Sequence, residues 1–235
     1  MLFDLRGKGR RRTVRVIYAS LAILMGGGLV LFGVGSDVSG GLFNAFDSDG
    51  GQSVDTTFDK KVTDLEKRLE TNPRDAEAWA ELARARFQQS TIGGNFDANA
   101  GTYTDKGRAK LAEVKAAWTR HVALAGDKPD ADVANVMVQA FGPAGLNELD
   151  QAVSAMEIVV DGRPESAGLY SQLAQLAYLA GQTRKGDLSA DKAISLADKD
   201  ERPQLRQQLD SFKTQAAAQA ATDTATVPAE TTTTP

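Results

Sequence analysis

The chain has 235 residues, 42% hydrophobic and 25% charged, the balance of a folded protein with room for one ordinary domain plus attachments. It has no Cys, which removes disulfides, thiol catalysis, thiolate metal sites and cysteine acylation; its one His, His121, weighs against a His-based triad or a multi-histidine zinc site. The formal net charge of −4 divides unevenly, because residues 1–15 hold six basic residues against Asp4 and leave 21 basic and 30 acidic residues beyond them. So acidic a main body repels a phosphate backbone, and nucleic-acid binding is disfavoured.

Residues 1–15 read as a basic cytoplasmic arm, and residues 16–35 (VIYASLAILMGGGLVLFGVG) as a transmembrane helix: twenty residues without a charge. At about 1.5 Å per residue such a helix spans about 30 Å, the thickness of a bilayer's hydrocarbon core. Positive residues directly before it predict that the N-terminus stays in the cytoplasm and that the rest of the chain lies outside it. The rival reading is a cleaved secretory signal ending near Gly33 and Gly35, but the apolar run is longer than a signal's core. A buried core helix is excluded because the run is apolar on every face and flanked by Arg. Within the span, Ala22 and Gly26–Gly28 offer a close-packing face for another membrane helix, against the plain reading that glycine is common in such helices.

Residues 36–57, rich in Gly, Ser and Asp, predict a flexible linker with a small apolar island at Leu42, Phe43 and Phe46. Asp47, Asp49 and Gly50 mimic the start of a calcium loop, but the later acidic ligands are missing and no metal site follows. At the other end, residues 220–235, with seven Thr among positions 222–235, have too little apolar surface to offset the entropy of ordering and predict a disordered tail.

Residues 58–219 predict helix after helix. Val62, Leu65 and Leu69 share one face at three- and four-residue spacing, and the segment stops at Asn72-Pro73. Prolines 73, 129, 164 and 203 then recur at separations of 56, 35 and 39 residues. Trp79, Leu82 and Ala83 follow Pro73 at the offsets at which Tyr170, Leu173 and Ala174 follow Pro164. Likewise Ala152, Met156 and Val159 have the internal spacing of Ala190, Ile194 and Ala197. A large aromatic followed by Leu and a small residue makes a helix face with one knob and one point of close approach, so each helix needs a neighbour to bury its stripe.

These residues resemble the tetratricopeptide repeat family, whose unit of about 34 residues is a pair of antiparallel helices. The resemblance covers about residues 58–215 and implies an all-α fold: a short helical-repeat solenoid of three units, with a half-unit ending at Pro73 and a closing helix near residues 203–217. Departures are a long loop at residues 90–107 inside the first unit, with Val114, Trp118 and His121 in its second-helix slots, and Asn135 and Val138 where the second unit lacks the aromatic.

His121, Trp79, Trp118, Tyr170 and Met156 lie at helical spacing and read as packing residues rather than a catalytic or ligand-binding set. No catalytic constellation and no cofactor are expected. The resemblance implies instead a groove lined by the first helix of each unit: Glu77, Ala80, Arg84 and Phe87, then Val133, Val136 and Ala140, then Ser171, Gln175 and Tyr178. The family's grip on a terminal carboxylate is absent, since its slots hold Ala80, Arg84, Gly168 and Gln172. An apolar extended or helical segment of a protein partner is expected there, with Arg84 as polar anchor.

The expectation for the whole is a single-pass membrane protein of a bacterial cell envelope, contacting the bilayer through residues 16–35 and acting outside the cytoplasm as a scaffold or chaperone-like adaptor. Its layout is similar to envelope proteins that attend the secretory translocon or cytochrome c assembly. The alternatives are a self-associating structural protein of the envelope, a homo-oligomer, and an enzyme of unrecognised type.

Overall fold

Prolines and short polar side chains set the helix boundaries. The computed structural model describes residues 51–225. Its elements in chain order are α1 (Gly51–Thr71), α2 (Ala76–Ser90), β1 (Phe96–Asp97), β2 (Thr102–Tyr103), α3 (Asp105–Ala125), α4 (Ala131–Phe141), α5 (Leu149–Gly162), α6 (Ala167–Leu179), α7 (Thr183–Leu196) and α8 (Arg202–Ala225). Pro73, Pro129 and Pro164 each stand one or two residues before an N-cap. Asp75 accepts from the Ala78 N–H, Asp130 from those of Asp132 and Val133, and Ser166 from that of Leu169. Proline stops the preceding chain from continuing as helix, and the cap satisfies the free donors of the next one. Pro203 lies within the first turn of α8, where its missing N–H is not needed.

The described part is all-α apart from one two-stranded hairpin. Consecutive helices pack in antiparallel pairs. The start of α2 meets the end of α3 through Ala76 and His121, while Arg86 near the end of α2 meets Glu113 of α3. In α4 and α5, Asp132 meets Arg163; in α6 and α7, Tyr178 meets Asp187. Contacts also join α1 to α2, α2 to α4, α5 to α6, and α8 to both α6 and α7. The largest side chains wholly removed from solvent, among them Leu82, Leu111, Met137, Phe141 and Met156, form one apolar cluster reaching from α1 to α6. A second, smaller cluster joins α6, α7 and α8 through Tyr178, Ile194 and Leu209.

Three boundaries differ from the sequence expectation. Helix α1 starts at Gly51, so residues 51–57 of the expected linker are helical. Helix α8 runs to Ala225, beyond residue 217 and into the expected tail. The loop expected at 90–107 holds the antiparallel β1–β2 hairpin, in which Asp97 accepts from the Asn99 and Ala100 N–H groups and Gly101 turns with positive φ. Tyr103 packs edge-on against Phe96 at 5.1 Å, and Thr104 caps α3 by accepting from the Gly107 N–H. Among the described residues no helix is long and apolar enough to cross a membrane. The arm, the expected transmembrane helix at 16–35, linker residues 36–50 and tail residues 226–235 lie outside the described residues.

Candidate interaction face

The residues expected to line a groove divide into two sets. Arg84 and Phe87 on α2, Val136 on α4, and Ser171 and Gln175 on α6 are half-buried, with side-chain surface left to solvent. Phe87 and Val136 rest on the same apolar cluster, and α2 and α4 are in contact. Ser171 gives its hydroxyl hydrogen to the Ala167 carbonyl at 2.7 Å, so it presents mainly lone pairs outward. Glu77 is exposed at the start of α2.

Ala140 and Tyr178 belong to the interior and correct that expectation. Ala140 is 0% exposed, because the chain after α4 folds back over its end: the Leu146 N–H donates to the Ala140 carbonyl at 2.9 Å, and a side chain at Gly145 would overlap the same carbonyl. Tyr178 is 7% exposed. Its ring lies against Gly186, where any Cβ would overlap it, and the Lys213 ammonium of α8 stands 5.8 Å from the ring centroid. The Tyr178 hydroxyl donates to Asp187 at 2.9 Å, and Lys213 donates to the same carboxylate oxygen at 2.7 Å. Burial, reinforced by the bond to Asp187, raises the phenol above its ordinary pKa; Lys213 first and Tyr178 second hold the Asp187 carboxyl below the usual range. Ala80 and Val133 are likewise enclosed between helices. Nothing local marks these burials in sequence, since Gly186 and Lys213 stand 8 and 35 residues from Tyr178.

His121 occupies a junction of three elements. It is 4% exposed, its Nε2 accepts from the Asp130 N–H at 2.9 Å, and its Nδ1 lies 2.8 Å from the Ala76 carbonyl oxygen. An acceptor at Nε2 and a carbonyl at Nδ1 require the neutral ring with its hydrogen on Nδ1. The ring stacks obliquely on Trp118 at 5.2 Å. The imidazole thereby joins α3 to the first turn of α2 and to the cap before α4, a packing role with both nitrogens committed. Trp118 and Met156 are buried as core, whereas Trp79 and Tyr170 are half-buried. Trp79 donates its indole N–H to the Pro73 carbonyl, and the Tyr170 hydroxyl donates to Glu165.

Two open clefts lie elsewhere. One of about 740 Å³ between α1 and α2 is lined by Lys60, Lys61, Asp64, Leu65, Arg68 and Glu81 among others. A second of about 410 Å³ between α7 and α8 includes Asp191, Lys199, Arg202 and Arg206. Their mixed charges form no convergent set, and among the described residues no three His, Asp or Glu side chains gather in metal-binding geometry. Arg84 and Phe87 of α2 and Val136 of the contacting α4 therefore make the candidate site, a guanidinium beside hydrocarbon, while Ser171 and Gln175 offer a hydroxyl and an amide on α6, which packs against α5, α7 and α8. No family model matches the chain, and no curated protein matches it.

Proposed function

We propose that the protein is a membrane-anchored interaction scaffold or chaperone-like adaptor whose helical domain receives a protein partner outside the cytoplasm, in a groove of the tetratricopeptide type. The observation that carries this reading is the composition of α4 and α6. Together they hold a single formal charge, Asp132, and that carboxylate pairs with Arg163. Solvent-facing helix surfaces are ordinarily charged; those of α4 and α6, with Val136 on one and Ser171 and Gln175 on the other, can each be covered without removing ions from water. The repeated aromatic–Leu–small pattern lends support, because its two clear copies fall on α2 and α6, the first members of antiparallel pairs. The uncharged run at 16–35 behind a basic arm supports the anchor and its orientation.

The test is in-cell crosslinking from a photoreactive residue at Phe87 or Gln175, both half-buried, followed by mass spectrometry. Adducts to envelope or secreted proteins are expected. Adducts to the chain itself alone favour the self-associating envelope protein, and adducts to cytoplasmic proteins reverse the proposed topology.

A further inference from the structure

Among the described residues, the half-buried cations are almost all matched. Arg86 pairs with Glu66 at 2.8 Å and Arg163 with Asp132 at 2.7 Å, while Arg202 donates to the carbonyls of Ser195 and Ala197. The five half-buried lysines each meet a carboxylate, from Lys110 with Glu113 to Lys213 with Asp187. Other arginines without an ion pair or hydrogen bond, such as Arg120 and Arg206, are exposed and hydrated. Arg84 alone among the described residues is half-buried with no carboxylate or carbonyl partner. The acid one turn before it, Glu81, lines the α1 cleft beside Arg68 and forms no ion pair with Arg84. Arg84 is partly covered while its guanidinium nitrogens still reach solvent, so its donors are uncommitted and open to a planar acceptor.

We propose that Arg84 binds a side-chain carboxylate of the partner, so that the face takes an acidic segment in which Asp or Glu alternates with apolar residues. This rests on the adaptor reading and specifies its partner. Phe87, one turn beyond Arg84, and Val136 on the adjoining α4 offer hydrocarbon surface for the apolar residues. With Asp132 already paired to Arg163, α4 and α6 present no uncompensated like charge to an incoming acid. The forked donor set of Arg matches a carboxylate in two parallel bonds. A terminal carboxylate is not required: Gly168 and Gln172 bring no second cation to hold one.

The test uses the full chain in detergent micelles and two fluorescent, C-terminally amidated peptides of identical Leu spacing, one carrying Glu and the other Gln between the leucines. Fluorescence anisotropy is expected to give the Glu peptide about tenfold tighter binding, the scale of one charge-assisted pair. Arg84→Gln should erase that difference, and Arg84→Glu should transfer the preference to a Lys-bearing peptide. Equal binding of the Glu and Gln peptides, or a preference that survives Arg84→Gln, overturns the inference. If Phe87→Ala weakens both peptides alike while Arg84→Gln changes neither, the groove stands and the carboxylate site falls. If neither peptide binds and Phe87 yields no crosslinks, both fall.

Discussion

The first and last helix pairs solve one packing problem by different chemistry. In α2 and α3 the connection is long, and it is held by directional polar bonds. Asn95 donates to the Gln89 carbonyl, Thr104 to that of Asn95, and His121 joins the far end to the cap of α4. In α6 and α7 the connection is a short turn through Gly181, which has positive φ, and the pair is closed mainly by the Tyr178 ring against Gly186 and a third helix, with the phenol and Lys213 bonded to Asp187 at the edge. Polar bonds fix position sharply but fail abruptly when a partner is lost, whereas an apolar contact loses strength in proportion to the surface removed.

The sharpest way to break the comparison is at its two close-approach glycines. An alanine at Gly107 would overlap the Asn95 backbone carbonyl, which cannot move without unmaking the hairpin; Gly107→Ala should cost about 3 kcal/mol in urea unfolding. His121→Ala strands the Asp130 N–H, takes one of the bonds from the Ala76 carbonyl and should cost about 2 kcal/mol, while His121→Gln, which keeps a donor and an acceptor, should recover part of that. At the other end, Gly186→Ala meets the Tyr178 ring, a side chain that can tilt, so about 1 kcal/mol is expected. That penalty should shrink in a Tyr178→Leu background, and additive costs would show that the ring is not the obstacle.

Titration sharpens the same contrast with smaller effects. Asp187 is held below its ordinary pKa by Lys213 and then Tyr178, and Asp75 by the Ala78 N–H and then Arg68. Carboxylates lowered on folding add stability above their unfolded pKa and lose it as pH falls through the lowered value, so the urea midpoint should drop below about pH 4. Asp187→Asn should flatten that drop. Tyr178 has the opposite sense: its folded pKa is raised, so its contribution is complete below the ordinary tyrosine value of about 10 and declines as pH rises above it. Tyr103 and Tyr170 are raised as well, so Tyr178→Phe should lessen the alkaline decline, and an unchanged profile would place its cause elsewhere.

Helix order, the proline boundaries and most core positions are legible in the sequence, because period and capping are local. Leu82, Met156 and Ile194 are buried where their spacing predicts. The ends of α1 and α8 are less so. Around Gly51 the residues are weak helix formers that hide the start, while the alanines at 217–218 and 220–221, good helix formers, follow Ala216, the last residue of α8 described as buried. Within the candidate face, Arg84, Phe87, Val136, Ser171 and Gln175 keep surface in solvent, but Ala140 and Tyr178 do not. Periodicity identifies which residues share a stripe; it cannot tell that a turn at Gly145 or a lysine on α8 will cover one.

The imidazole at the junction of α2, α3 and α4 has a practical consequence. Because the chain contains one His, its nitrogen-15 ring resonances arise from a single site without overlap. The Nε2 signal reports the bond from the Asp130 N–H, so it should shift whenever the second helix pair moves against the first. The molecule thus carries an intrinsic spectroscopic gauge of strain, close to the α2 face and readable without any attached label.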